Sequence, residues 1–499
     1  MTERAGKRLV VCCDGTWCDP SNDTNVARTA FQAVLATRHF GVETATSARG
    51  WSGTVEPPKR EQLVYYDTGV GTKEGRGWWQ TLSSAEGLKD LVTENDYVRV
   101  FLGGATGFGL SENIQQAYRF LAEHYRDGDE IFLIGFSRGA YTVRSLGGLL
   151  SAAGLLWPQH VDVGKDPSKD PLVAEAYAYY RAAPGKDGRP SERDRHSFAA
   201  KRASVARPIG VTFVGVYDTV GSVGIPLTFA QQVGLNRKHG FHDTELGRNV
   251  RVARHAMGID ERRGPFKATY WTGNGRTGEA NVKQVWFAGV HGDVGGGVEN
   301  RGLSNLALGW LMREAEAAGL EIDPRPLQEW QGDPVGPVHD NMRGIWWALH
   351  GLGVLKRYVR PIGPERRAKV EGPDCAQPVR EMLHGSVWRR LREHDGAPDY
   401  RPPNLALGGQ GPIRANLRDL LVEDDERRSP RVACREGGCR VGNRNGFTIV
   451  DRSAGGIRLA PAVDLPDGTP VEVEAPTLGR RSGEVRWSGP TASGIAVVA

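Results

Sequence analysis

Three residues of this 499-residue chain have the types, order and local settings that acyl transfer needs: a serine, a carboxylic acid and a histidine. Ser137 stands inside Gly-Phe-Ser-Arg-Gly at Gly135–Gly139. The apolar run Ile131-Phe132-Leu133-Ile134 precedes it and reads as a buried parallel strand. Ala140, Val143, Leu146 and Leu149 follow at helical spacing, so a helix begins at once. Glycines on both sides let the chain turn sharply from strand to helix and lift the serine hydroxyl above the sheet, the setting of a nucleophile elbow. A tight turn with no chemistry fits the bare pattern too. The flanking strand and helix favour the nucleophile.

A serine nucleophile requires a base, and the base requires an acid that orients it. In enzymes built on such an elbow the order is Ser, Asp or Glu, His, each at a strand end. Val211–Tyr217 is an apolar strand that ends in Asp218-Thr219-Val220, and Val285–Val290 ends in His291-Gly292-Asp293 with Gly295–Gly297 behind it. Of twelve histidines, His291 comes directly after a buried strand and before a glycine run. Asp218 is therefore assigned as the acid and His291 as the base. Taken singly, Asp218 reads equally well as a loop cap and His291 as a polar residue at a strand end. Asp243, Asp260 and Asp293 are rival acids, and His242 and His255 rival bases.

Asp14-Gly15-Thr16 follows the first strand. Phosphatases of the haloacid dehalogenase type carry Asp-x-Asp-Gly-Thr there, but Cys12 occupies the position of their nucleophile. The loop is expected beside the elbow instead, with Asp14 and Asp293 at the edge of the site. The amide of Arg138 is the expected first oxyanion donor, and an amide of Gly15 or Thr16 the second. The Gly103–Gly109 run lacks the Gly-Lys-Ser/Thr ending of a phosphate loop and reads as a structural turn.

The elements that carry these residues alternate between strand and helix over the first three hundred positions, which predicts an α/β fold with a mostly parallel sheet flanked by helices. Leu9–Cys13 and Val98–Leu102 read as strands, with a helix from about Ser111 to Gly128 and another capped by Ser304 that ends near Gly319. Residues 157–208 read as an insertion over the sheet that could serve as a lid. Residues 1–415 form the expected first domain and 416–426 a linker. Residues 427–499 change to short, glycine-punctuated strands that predict a small β-barrel.

Composition narrows the setting. A net charge of +5 is small for this length, so no nucleic-acid partner is expected, and it does not hinder contact with an anionic membrane surface. No apolar stretch is long enough to span a bilayer, and the first residues hold no signal-peptide core. Six cysteines without a zinc-like pattern suit a reducing cytoplasm and imply no metal.

Cys13–Trp17, Thr24-Asn25-Val26, Gly69–Thr72, Gly103–Gly109, Gly135–Ala140, Asp218-Thr219-Val220 and Trp286–Gly297 come in one order. Over roughly residues 8 to 410 this set resembles the α/β-hydrolase family that includes the type VI secretion phospholipase effectors. The resemblance implies an esterase or phospholipase A with Ser137 as nucleophile, Asp218 as acid and His291 as base. It implies a lipid or other ester as substrate, no catalytic cofactor, and no particular route of export.

The tail carries a second pair of signals. Arg427-Arg428-Ser429-Pro430-Arg431 holds Arg-x-x-x-Arg, and Asp451-Arg452-Ser453-Ala454-Gly455-Gly456 holds Asp-x-Ser-x-x-Gly. Together with the barrel pattern they look similar to the PilZ domain, which binds cyclic di-GMP. Arginine forks suit phosphodiesters and guanine edges, Asp451 and Ser453 offer polar contacts, and Gly456 permits close approach. The reading is a cytoplasmic serine hydrolase regulated or localised by cyclic di-GMP. The alternative is a non-catalytic signalling scaffold that uses the hydrolase fold as a binding module.

Overall fold

The computed structural model describes residues 6–16, 18–41, 57–69, 107–162, 170–181, 192–220, 246–272, 281–342, 358–372, 375, 377–392, 400–405, 421–423, 432–453, 456–466, 468–476, 479–488 and 493–497. The chain divides into two compact units, Met1–Asn404 and Leu405–Ala499.

Eight strands of the first unit are β1 (Arg8–Cys13), β2 (Arg38–Phe40), β3 (Gln62–Asp67), β4 (Glu130–Phe136), β5 (Val211–Tyr217), β6 (Val250–Gly258), β7 (Asn281–Phe287) and β8 (Glu381–His384). They pair in the order β8-β7-β6-β5-β4-β1-β3-β2, and every pair is parallel. The chain leaves β1 for β2 and β3 on one side and continues from β4 on the other. A topological switch therefore lies between β1 and β4, and open parallel sheets bind ligands outside the strand ends at such a point.

Parallel strands must be covered on both faces, and the two cores show how. Leu9, Val11 and Cys13 point to one face, where they join Ile114, Ala117 and Leu121 of α2 (Gly107–His124) and Val143, Leu146 and Leu149 of α3 (Ser137–Ala153). Val10 and Cys12 point to the other, against Val26 of α1 (Asn25–Arg28) and Leu308 and Leu311 of α5 (Gly302–Ala317). The adjacent cysteines thus serve opposite faces, as the strand period requires.

Sequence and structure differ at several boundaries. The helix expected from Ser111 begins at Gly107, and the one expected to be capped by Ser304 begins at Gly302. Within the insertion, α4 (Pro171–Arg181) buries Val173, Ala176, Tyr177 and Tyr180 in the same core as α2 and α3. Tyr180 lies against Gly148, eleven residues past Ser137 along α3, a rise of roughly 16 Å. The described helix of the insertion thus forms a second layer on α2 and α3. The expected strand Val98–Leu102 lies outside the described residues.

The second unit contains a closed six-stranded barrel of β9 (Val432–Val441), β10 (Arg444–Ser453), β11 (Gly456–Ala460), β12 (Pro470–Ala475), β13 (Gly479–Ser488) and β14 (Ser493–Val497), ordered β9-β10-β11-β14-β13-β12. Every pair described is antiparallel, and Phe447, Ile449, Leu459, Val473, Val485 and Ile495 fill its interior. Closure leaves no edge strand exposed to foreign pairing.

Candidate active site

The turn from β4 into α3 is tight because its glycines have neighbours where a side chain would be. A Cβ on Gly135 would meet the backbone of Gly139, and one on Gly139 would strike the carbonyl oxygens of Cys13 and Asp14 at the end of β1. Between them Ser137 adopts φ 57°, a left-handed conformation that a serine enters only at a cost. Asp218, directly after β5, has φ 41°. Two of the non-glycine residues with positive φ therefore stand at adjacent strand ends. Such strain persists where surrounding structure imposes it, and it concentrates at functional sites.

His291 joins them. Its Nε2 lies 2.8 Å from Ser137 Oγ and its Nδ1 lies 2.5 Å from Asp218 Oδ2. With Asp218 as acceptor, Nδ1 carries the proton, so Nε2 is free to accept from the serine hydroxyl. The imidazole packs against the rings of Phe136 (centroids 4.6 Å apart, tilted) and Phe266 (5.0 Å, edge-on). Ser137 is 6% exposed, His291 7% and Asp218 not at all. Burial pushes the His291 pKa below its ordinary value against the opposing pull of Asp218, and so favours the neutral base.

Burial alone would raise the Asp218 pKa, but Arg360 and the His291 hydrogen bond outweigh it and hold the carboxyl well below the usual range. Arg360 Nη1 and Nη2 donate to Asp218 Oδ1 and Oδ2 at 2.6 and 2.9 Å, and the amide of Gly258 donates to Oδ1 at 2.9 Å. Sequence reasoning missed Arg360. Nothing in Tyr358-Val359-Arg360-Pro361 marks it, because Asp218 lies 142 residues away.

The rival residues have other positions. Asp293 accepts from the amides of Val290 (2.9 Å) and His339 (3.1 Å) and from His339 Nδ1 (2.5 Å). Asp260 accepts from the amide of Gly289 (2.7 Å) and the Tyr400 hydroxyl (2.7 Å). Both carboxylates thus hold the loop that delivers His291. His255 accepts from the Thr219 amide at 3.1 Å, and burial, with Arg144 nearby, pushes its pKa down to about 3. It is a neutral support for the acid loop. Asp243 and His242 lie outside the described residues.

The Asp14 loop does lie beside the elbow, since a Cβ on Gly15 would stand 3.3 Å from Ser137 Cβ. Asp14 Oδ1 accepts from the Gly15 amide (2.7 Å), and Oδ2 accepts from the hydroxyls of Thr24 (2.5 Å) and Tyr66 (2.6 Å). The Gly15 amide is thereby committed to Asp14, which leaves Thr16 as the candidate second oxyanion donor beside the Arg138 amide in the first turn of α3. Asn25, next to Thr24, donates to the carbonyls of Val294 (2.9 Å) and Ser304 (3.0 Å) and ties this loop to the histidine loop.

The family described as the catalytic domain of Tle1-like type VI secretion phospholipase effectors matches residues 7–314, which contain Ser137, Asp218 and His291. The chain belongs to that family. Among curated proteins, the uncharacterized protein YEL023C of Saccharomyces cerevisiae (strain ATCC 204508 / S288c) is 28% identical over 272 residues, 54% of this chain and 33% of the yeast protein. The chain therefore spans about a third of that relative's length. Among solved structures, the Tle1 effector bound to the VgrG spike of the type VI secretion system aligns over 59% of this chain and 51% of its own, at 14% identity and a TM-score of 0.28. For this Tle1-like chain, Arg360 lies beyond the residues the family matches.

In the barrel, Asp451 and Ser453 lie near the end of β10, and Gly456 pairs with Ser453 at the start of β11. Arg427, Arg428 and Arg431 lie outside the described residues.

Proposed function

We propose that this protein hydrolyses carboxylic esters, lipid esters foremost, through Ser137, His291 and Asp218. The continuous relay from Ser137 Oγ to His291 Nε2 and from Nδ1 to the Asp218 carboxylate supports the reading. Ser137 Oγ attacks the acyl carbon as its proton passes to Nε2, and the carbonyl oxygen becomes an oxyanion facing the amides of Arg138 and Thr16. Collapse of the tetrahedral species breaks the ester bond, and the leaving alcohol takes the proton from His291. Water then attacks acyl-Ser137, gives its proton to His291, and releases the acid as that proton returns to the serine. Asp218 stays ionised throughout and stabilises the imidazolium. Family membership supports lipid as the substrate class, with phospholipase A action the specific form proposed.

We further propose that the C-terminal barrel is a PilZ-type receptor for cyclic di-GMP that regulates the hydrolase or localises it at a membrane surface. The closed six-stranded barrel, with Asp451, Ser453 and Gly456 at one strand junction and the Arg427–Arg431 run just before β9, supports this. Among the described residues no helix is long and apolar enough to cross a membrane.

One experiment addresses both proposals. Phospholipid vesicles are incubated with the full chain and with Ser137→Ala, with and without cyclic di-GMP, and released fatty acid is measured. The account predicts release by the parent protein, none by the variant, and a change in rate or vesicle association with the messenger. Absence of release under every condition, with messenger binding intact, would instead support the scaffold reading.

A further inference from the structure

We propose that Arg360 is a positioning residue for the base: by clamping and neutralising Asp218 it keeps His291 unprotonated, and the serine reactive, at mildly acidic pH. The inference rests on the triad reading above and adds a residue from outside the family-matched region.

The geometry carries it. Arg360 and Asp218 are both fully buried, and the guanidinium grips both carboxylate oxygens in a fork. The same two nitrogens also donate to the carbonyls of Gly258 and Phe266, each at 2.7 Å, so the fork is fixed from behind. Asp218 Oδ2 is shared: it receives Arg360 Nη2 at 2.9 Å and His291 Nδ1 at 2.5 Å. A buried Asp–His pair alone holds one uncompensated negative charge and readily takes up a proton. With Arg360 in place the trio is already neutral, and a further proton would leave a net positive charge where water is excluded. The proton belongs to the coupled group, whichever atom carries it.

The other charged groups described around the site are engaged elsewhere. Glu261, whose carboxylate accepts the His291 amide at 3.3 Å, is paired with Arg263. His255 beneath the acid loop is neutral, and burial pushes the Tyr270 hydroxyl up to about 12. Arg144 donates to the carbonyls of Thr269 and Tyr270, and Arg367 is paired with Glu381. Among the described residues, Arg360 is the cation in direct contact with the triad carboxylate.

The test is the pH dependence of labelling by a fluorophosphonate probe, on the full chain, Arg360→Met, Arg360→Lys and Ser137→Ala. The probe reacts when the base is unprotonated, so the acid limb reports the coupled group. The parent limb is expected below the ordinary histidine value of about 6.5. In Arg360→Met it should move up by about one unit or more, so that on the acid side of both limbs labelling falls roughly tenfold relative to the parent, each normalised to its own high-pH plateau. Arg360→Lys should lower the plateau, because the fork is lost, yet keep the limb near its parent position because the charge remains. A lowered plateau with an unmoved limb in Arg360→Met would overturn the proposal. If that variant does not fold, a parent limb at or above 6.5, or a raised limb in Arg360→Lys, would overturn it. A parent protein without Ser137-dependent labelling at any pH would remove the triad reading itself, an outcome distinct from a displaced or unmoved limb.

Discussion

β1 and β5 flank β4 on its two sides, and each ends in a buried aspartate, yet the two carboxylates have opposite electrostatics. Asp218 at the end of β5 faces a guanidinium and an imidazole, and its pKa is driven far down. Asp14 at the end of β1 faces two hydroxyls and an amide, and burial, which those hydrogen bonds only partly offset, pushes its pKa up to about 6. Burial penalises both ions; the charge of the partner decides which one remains ionised at neutral pH with a margin. The better-paired carboxylate supports the histidine, and the other shapes a loop.

The comparison is broken most severely at Asp218. Asp218→Asn leaves Arg360 buried without its counter-charge and His291 without an anionic acceptor. Turnover should fall about 10³–10⁴-fold, and stability should fall by roughly 3–5 kcal/mol, read from ester hydrolysis and denaturant unfolding. Asp14→Asn should reduce turnover far less, with no phosphomonoester hydrolysis gained or lost.

That second variant also sharpens the comparison through pH. The Asp14 pKa is raised from 3.8 to about 6 on folding, so its contribution to stability is fully present below 3.8 and is lost as pH rises through 6. The full swing is about 3 kcal/mol. Parent stability relative to Asp14→Asn should therefore decline between pH 4 and pH 7, as thermal melts across that range would measure. Asp218 has the opposite sign: its contribution is present above 3.8 and is withdrawn as pH falls below that value.

The smallest effect concerns the residue between the two strand ends. Ser137 holds φ 57°, so Ser137→Gly should be more stable than Ser137→Ala by on the order of 1 kcal/mol, with both inactive. Equal stabilities in urea unfolding would show that the elbow is not strained.

Legibility in the sequence followed the range of the interactions. The elbow, the strand Val211–Tyr217 and most barrel strands are local patterns, and they could be read directly. The strand β6 was not anticipated because Arg251, Arg254 and His255 interrupt its apolar run; Arg254 is accommodated by pairing with Glu314. The strand β7 starts at Asn281, earlier than its apolar core, and stops at Phe287 before the loop that presents His291. The order Ser, Asp, His could be read because each residue follows its own strand. Arg360 could not, since its contact with Asp218 spans 142 residues, nor could the Tyr66 hydroxyl on Asp14, 52 residues away.

The central claim is that Ser137 is a nucleophile activated by the His291–Asp218 relay. Intact-protein and peptide mass spectrometry after fluorophosphonate treatment tests it most directly. The account predicts a single adduct on the peptide containing Ser137, its absence in Ser137→Ala, and greatly slowed formation in His291→Ala. An adduct on another residue, or labelling of Ser137 at an undiminished rate without His291, would contradict it.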